Sequence, residues 1–230
     1  MTGDPALLGR MELFEGLDEA GRRAVLQAGA MRRLAQGASA FRQGDPGLTC
    51  HVLLEGRVKI VETRPDGSSG LIRYIGPGEM FGAVAALMGR PFPAEAVAVL
   101  DSQEIYWPTP VFRELMARHP PLALRCTALA GERLMEMQDR VGELSSARVE
   151  QRIARALVRL IEKAGQETPD GVEIGFPITR QELAEIAGST LHTVSRTLSA
   201  WDDQEITSSS RRHIVVKRPE ALAGLAEPGG

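Results

Sequence analysis

The stretch GSTLHTVSRTLSA, residues 188–200, sets Ser189, Thr190, His192, Thr193, Ser195 and Arg196 along one short segment with no acidic residue among them. A guanidinium can donate two parallel hydrogen bonds to guanine O6 and N7, and short hydroxyls can reach phosphate oxygens or a base edge. Leu191, Val194, Leu198 and Trp201 recur at helical spacing on the opposite side. A helix whose polar side merely faced water would carry Glu and Lys in i,i+4 pairs. These residue types point instead to a helix that meets a polyanion.

The residues before this helix define how it is held. Thr179 followed by Glu182 is a capping box that opens a first helix, with Leu183, Ala184 and Ile186 as its buried side. Gly188 supplies a turn where positive φ is needed, and Ser189 or Thr190 caps the second helix. Ala184, Gly188, Val194 and Leu198 then have the spacing of a DNA-binding helix-turn-helix. Downstream, Arg211, Arg212, His213, Lys217 and Arg218 form a local basic run at the tip and flank of an expected β-hairpin wing, suited to phosphate contacts that fix register.

The rest of the chain must position these groups. Residues 38–107 read as β structure, because HVLLEGRVKIVE, GLIRYIG, AEAVAVLD and QEIYW are separated by turn clusters such as QGDPG, RPDGSSG and GPGEMFG. The segment EAGRRAVLQAGAMRRL before them has helical spacing through Val25, Leu26 and Leu34. VFRELMARHP is a short helix stopped by Pro120 and Pro121, and a long helical pattern follows in which Ala123, Thr127, Ala130, Leu134, Met137, Val141 and Leu144 keep the four–three spacing of a coiled-coil seam. Such a helix either packs on its own domain or pairs two chains; its place between unlike regions, with Arg and Glu beside the seam, favours pairing. Residues 147–164 form another amphipathic helix, GQETPDGVEIGFP reads as a loop, and the domain boundary falls near Ser145–Ser146. The fold class is α+β: a β-roll (cupin-like jelly roll) sensor over residues 1–120, a dimerisation helix over 121–146 with Ala130, Leu134, Met137, Val141 and Leu144 as its seam, and a winged helix-turn-helix over 147–230.

Composition limits the alternatives. Charge gives no bulk support to nucleic-acid binding, since residues 1–146 hold 16 Lys/Arg against 18 Asp/Glu and residues 147–230 hold 11 against 12. Positive charge must therefore be concentrated on one face. Cys50 and Cys126 form no CxxC, which argues against a disulfide framework, a zinc knuckle or a cysteine-held iron–sulfur cluster. The four histidines, His51, His119, His192 and His213, are scattered with no HxH, and neither a phosphate loop nor a nucleophile elbow is present, so neither a metal site nor an enzyme is expected. No apolar run approaches membrane-spanning length and no basic n-region precedes an apolar core, so the expected location is the cytoplasm, with no membrane partner.

Taken in order, LLEGRVKIVETRPDG, IGPGEMFG, the long helix and ITRQELAEIAGSTLHTVSRTL resemble the cyclic-AMP receptor protein/FNR family of bacterial transcription regulators over roughly residues 10–222. The resemblance implies a homodimer on double-stranded DNA with a pseudo-palindromic operator, RNA polymerase as a further partner, and an effector in the β-roll that repositions the DNA-binding domains through the long helices. It implies that Arg180 and Gln181 hold phosphate, that Ser189, Thr190 and Thr193 touch the backbone, and that Ser195 and Arg196 read bases. His192 departs from the glutamate usual there, so the half-site preference cannot be copied from the best-known branches. The alternative is a ligand-binding regulatory module that acts through a protein partner; Arg196, Arg211 and Arg212 speak against it.

The effector pocket implied by the resemblance comprises Gly78, Glu79, Gly82, Ala83 and Pro93. In the cyclic-nucleotide branch a glutamate follows the glycine of GExxG to take the ribose hydroxyl, and an arginine further on takes the phosphate. Ala83 and Pro93 stand at those positions here, and Arg90 is out of register, so cyclic AMP is not the expected effector. The iron–sulfur branch needs four cysteines. FPAEAVAV resembles members that respond to nitric oxide or redox signals, some of which bind haem, with His51, His119, Met80, Met88 and Cys50 as conceivable ligands. Against haem stand the ordinary structural role of a strand histidine and the use of methionine as core filler; a small organic effector fits the residues equally.

Overall fold

Cys50, Val52 and Leu54 leave one face of the strand Thr49–Glu55 and Leu53 leaves the other, yet all four are buried. This strand therefore separates two cores, which is why HVLLE reads as a continuous apolar run rather than an alternation. The computed structural model describes residues 5–227. They divide between Glu136 and Met137 into two units, each with its own packing.

The first unit begins with helix α1 (Pro5–Leu8), a 3-10 turn and helix α2 (Glu19–Ala28). Eight strands follow: β1 (Ala30–Leu34), β2 (Ser39–Phe41), β3 (Thr49–Glu55), β4 (Val58–Thr63), β5 (Ser69–Ile75), β6 (Met80–Phe81), β7 (Glu95–Ala98) and β8 (Ser102–Pro108), with helix α3 (Ala83–Leu87) between β6 and β7. They form two antiparallel four-stranded sheets, β1-β8-β3-β6 and β2-β7-β4-β5. Leu34, Phe41, Leu53, Val58, Ile75, Phe81 and Phe92 fill one core. On the other side of β3, Leu13, Phe14, Val25, Trp107, Phe112, Leu122 and Cys126 form a second core with helices α4 (Thr109–Arg118) and α5 (Pro120–Ser146). Buried Trp107 donates its indole N–H to the Val25 carbonyl at 2.8 Å, satisfying the one polar atom it brings inside.

Two expectations are corrected in this unit. AMRRL is the edge strand β1 paired with β8, not the end of the preceding helix; Gly29 closes α2, and its backbone lies so near the Ile105 and Trp107 side chains that a Cβ would meet both at 2.7 Å. AVAAL, inside the β region, is α3, whose apolar residues lack the alternation a half-buried strand would need.

The second unit comprises the last turns of α5, helix α6 (Val149–Ala164), the hairpin β9 (Gly165–Thr168) and β10 (Gly171–Ile174), helices α7 (Arg180–Ala187) and α8 (Leu191–Asp203), the hairpin β11 (Thr207–Ser209) and β12 (Ile214–Val216), and helix α9 (Pro219–Ala226). The strands join as one antiparallel sheet in the order β11-β12-β10-β9. GQETPDGVEIGFP, expected as a loop, is the hairpin β9–β10: Val172 pairs with both Glu167 and Val216, so the tertiary sheet overrides a weak local pattern. Ile153, Ala154, Ala156 and Leu157 bury one face of α6, and Arg155 and Gln151 on it donate to the carbonyls of Ala226 and Glu227 at the C-terminal end of α9.

Candidate nucleic-acid interface and sensor site

Local chemistry fixes the helix-turn-helix. Thr179 accepts from the Glu182 backbone N–H at 3.1 Å while Glu182 accepts from the Thr179 N–H at 2.9 Å, a closed capping box at the start of α7. Gly188 ends α7 with φ 60° and ψ 45°, a left-handed conformation that a side chain would oppose, and a Cβ there would also collide with Leu144. Of the two candidate caps for α8, Thr190 takes the role, accepting from the Thr193 N–H at 3.2 Å. Leu183, Ala184, Val194, Leu198 and Trp201 are buried between the helices, as their spacing requires. Ile186 and Leu191 differ from expectation: Ile186 is half-buried, with Ala187 taking the buried position, and Leu191 is exposed in the first turn of α8. Thr197, which the sequence pattern did not mark, is buried.

The outward face of α8 carries the expected readers. His192 and Arg196 are exposed, Thr193 and Ser195 are half-buried, and among the described residues Arg196 and His192 have no hydrogen-bond or ion-pair partner. At the tip of the wing, the turn closed by Ser210 N–H on the His213 carbonyl (2.9 Å) leaves Arg211 and Arg212 exposed. His213 is turned back instead, its Nδ1 at 3.1 Å from Glu173 Oε1 on β10. The other candidates are partly committed. Thr190 and Thr193 share a hydroxyl–hydroxyl bond of 3.0 Å, exposed Gln181 donates to Glu185 at 2.8 Å, half-buried Arg180 donates to Ser209 Oγ at 3.0 Å, and the Ser189 N–H donates to the Ala184 carbonyl.

Sequence reading did not identify the groups that anchor this motif. Arg152 on α6 donates to the carbonyls of Ala187 and Gly188, at 2.9 and 3.0 Å. Arg140 on α5 donates to the Ile186 carbonyl at 2.8 Å. These guanidiniums satisfy the carbonyls that the end of α7 leaves open, and they place positive charge at the negative end of its dipole. Glu143 on α5 meanwhile pairs with Arg159 on α6 at 2.8 Å. Only the partner positions, far apart in sequence, reveal these roles.

Along α5, Leu122 and Cys126 are buried in the first unit. Ala130, Leu134, Met137, Val141 and Leu144 are exposed, with Leu134 57%, Met137 52%, Val141 64% and Leu144 54% accessible in the single chain. Leu144 also reaches Gly188, so this seam position touches the turn of the helix-turn-helix.

In the first unit the implied pocket residues have different surroundings. Gly78 lies in a turn tied to β3, with its N–H on the Leu53 carbonyl at 2.7 Å, and Glu79 is paired with Arg73 at 2.8 Å. Gly82 packs against Phe41, Phe92 and His51, where a Cβ would meet the nearest carbon at 2.9 Å. Ala83 is buried in the core beneath the helices, and Pro93 is exposed. Phe41 and Phe92 stack at 3.8 Å, and His51 and Phe81 complete the cluster, with ring centroids 5.1 Å apart. Arg57 and Arg73, both held below their ordinary range by burial, face Glu79.

The conceivable haem ligands do not suit iron. His51 is buried, with Nε2 at 2.8 Å from Thr49 Oγ1 and Nδ1 at 3.2 Å from Glu104 Oε2, and Glu104 is itself fully buried and paired with Arg32. Iron would take a nitrogen from this network and leave a buried polar group unmet. Met88 is 61% exposed, Met80 packs on the core beneath the helices, and His119 sits against Gly21 of α2. Among the described residues no three His, Cys, Asp or Glu side chains are grouped to hold a metal ion.

Burial pushes the Cys50 thiol from 9.0 up to about 12, reinforced by the neighbouring Cys126, which burial itself raises to about 11. Both thiols therefore stay protonated and unreactive in the fold. Because the unfolded chain ionises first, stability falls as pH rises above 9 and continues to fall towards 11–12, by about 1.4 kcal/mol per pH unit for each thiol. At pH 8 the native protein is expected to resist labelling by a thiol-reactive aromatic disulfide until denaturant is added; rapid labelling of two thiols without denaturant would contradict this.

Two family profiles match this arrangement: the cyclic nucleotide-binding domain over residues 31–119 and the Crp-like helix-turn-helix domain over residues 151–225. A cyclic AMP receptor protein of Thermus thermophilus is 30% identical over 218 residues, spanning 93% of this chain and 96% of the relative. The chain belongs to the Crp/Fnr family. It is accordingly a DNA-binding transcription regulator, as its relatives are. A CRP-like cAMP-activated global transcriptional regulator of Mycobacterium tuberculosis is 22% identical over 220 residues, 96% of this chain and 98% of the relative. In fold, this Crp/Fnr chain is similar to FixK2 of Bradyrhizobium japonicum, with a TM-score of 0.75 over 88% of this chain and 99% of the other at 20% identity. No described helix of this regulator is long and apolar enough to cross a membrane.

Proposed function

We propose that this protein is a homodimeric, effector-controlled regulator whose two α8 helices read the halves of a pseudo-palindromic duplex about one helical turn apart. The observation that carries this reading is the outer face of α8, where Arg196 and His192 stand exposed and uncommitted, with Arg211 and Arg212 beyond them on the wing. An overall charge of −3 makes that concentration of cation meaningful, because bulk attraction to DNA is absent. The exposed seam of α5 supports pairing through the long helix. RNA polymerase is the partner through which such a regulator acts on transcription, and the cytoplasm is the compartment this implies.

The effector in this reading is a small organic molecule other than cyclic AMP. Buried, apolar Ala83 and exposed Pro93 offer neither a ribose acceptor nor a phosphate cation, and an unpaired buried phosphate is strongly unfavourable. The engaged nitrogens of His51 likewise weigh against haem.

The test is fluorescence anisotropy on a duplex selected from a random pool by the protein itself, titrated with salt and with cyclic AMP. Affinity should fall steeply as salt rises, and cyclic AMP up to about 1 mM should change nothing. Tightening by cyclic AMP would return the chain to the cyclic-nucleotide branch. Failure to select any duplex would favour a module that acts through a protein partner.

A further inference from the structure

Three elements of the winged unit meet through one carboxylate. Asp202, at the end of α8, accepts from Thr207 Oγ1 at 2.6 Å and from Ser209 Oγ at 2.7 Å, both on wing strand β11. Ser209 Oγ in turn accepts from Arg180 Nη2, at the first residue of α7, at 3.0 Å. Thr207 is 1% exposed, so its bond to Asp202 is sheltered from water, and Asp202, Ser209 and Arg180 are each half-buried. A serine hydroxyl carries one proton. Because Asp202 takes it, a lone pair of Ser209 is left facing Arg180.

We infer that Asp202 is a positioning residue for DNA binding, acting through Ser209 to preset the Arg180 guanidinium while it pins the wing to the recognition helix. Arg180 has five N–H donors and spends one on Ser209, so the remainder of the fork can meet a phosphate without the side chain first being immobilised. The same carboxylate fixes the strand that leads to Arg211 and Arg212, so helix and wing approach the duplex in one register. This inference rests on the proposed reading that Arg180 contacts the DNA backbone.

The experiment is a double-mutant cycle on the intact protein, Arg180→Ala and Ser209→Ala singly and together, with affinity for the selected duplex measured across a salt series. Arg180→Ala should weaken binding and lower the salt slope by about one per protomer. Ser209→Ala should weaken binding about threefold to tenfold with the slope kept, since the charge stays but is no longer preset. The double variant should match Arg180→Ala alone, and Ser209→Thr, which keeps the hydroxyl, should bind as the parent does. If Arg180→Ala leaves affinity and slope unchanged, the DNA-contact reading of Arg180 fails. If Arg180→Ala weakens binding but Ser209→Ala does not, or if the two losses add, only the positioning role of Asp202 is overturned. Since Asp202 also holds buried Thr207, variants of Ser209 separate this role from folding more cleanly than Asp202→Ala would.

Discussion

Arg196→Ala is expected to erase most of the sequence preference while leaving weak, general DNA binding in place. Arg196 sits in the second turn of α8, exposed, with no partner to give up before it reaches a base edge. A bidentate arginine–guanine contact discriminates by about 1–3 kcal/mol, and a dimer on two half-sites would lose it twice. The readout is the ratio of affinities for the selected duplex and a scrambled one of equal length and composition. Removal of one charge per protomer also weakens binding to the scrambled duplex, so the ratio, not the affinity, carries the result. A full ratio in the variant would remove Arg196 from the proposed readers and return attention to Ser195 and His192 in the same turns of α8.

The second large effect concerns the long helix. Leu134→Glu combined with Val141→Glu should convert the protein to a monomer and reduce its affinity for the two-half-site duplex to that for one half-site. Both side chains are more than half exposed in the single chain, so circular dichroism should report an unchanged protomer. Across a two-fold seam each would face apolar or like-charged neighbours, and a buried unpaired carboxylate is strongly disfavoured. Linking two weak sites raises avidity by about 10²–10⁴ without new contacts, so a loss of that size is expected. Analytical ultracentrifugation reads the first outcome and anisotropy the second. A variant that stayed dimeric would show that the exposed stripe of α5 is not the pairing surface.

Different parts of this architecture differ in how plainly local sequence encodes them. The helix-turn-helix is legible because short-range rules act together there: Thr179 with Glu182, Gly188 at positive φ, and Val194 with Leu198 all lie within twenty residues. The roll is legible as β structure from its turn clusters, but its edges are not, since β1 exists only through β8, over sixty residues away. The hairpin β9–β10 was missed for the same reason, its central position in the sheet being set by β12. The sensor was the least legible. That Gly82 faces an aromatic stack, that Ala83 belongs to the other core and that Pro93 is at the surface all depend on how α3 and the turn after it fold back on β3, which no periodicity records. Likewise sequence leaves His51 open as a ligand, whereas in the fold Thr49 and Glu104 occupy its two nitrogens.

The bonds from Arg140 and Arg152 to the carbonyls closing α7 bear on how such proteins could be recombined. The break between helices, at Ala147–Arg148, invites a graft of one winged unit onto another sensor. A splice there would separate Arg140, Glu143 and Leu144 from Ile186, Arg159 and Gly188, leaving Arg152 alone to hold the carbonyls of the transplanted turn. A junction before Met137 would carry those three side chains along with the helices they brace, and a chimera built that way should inherit operator preference together with the stiffness on which that preference depends.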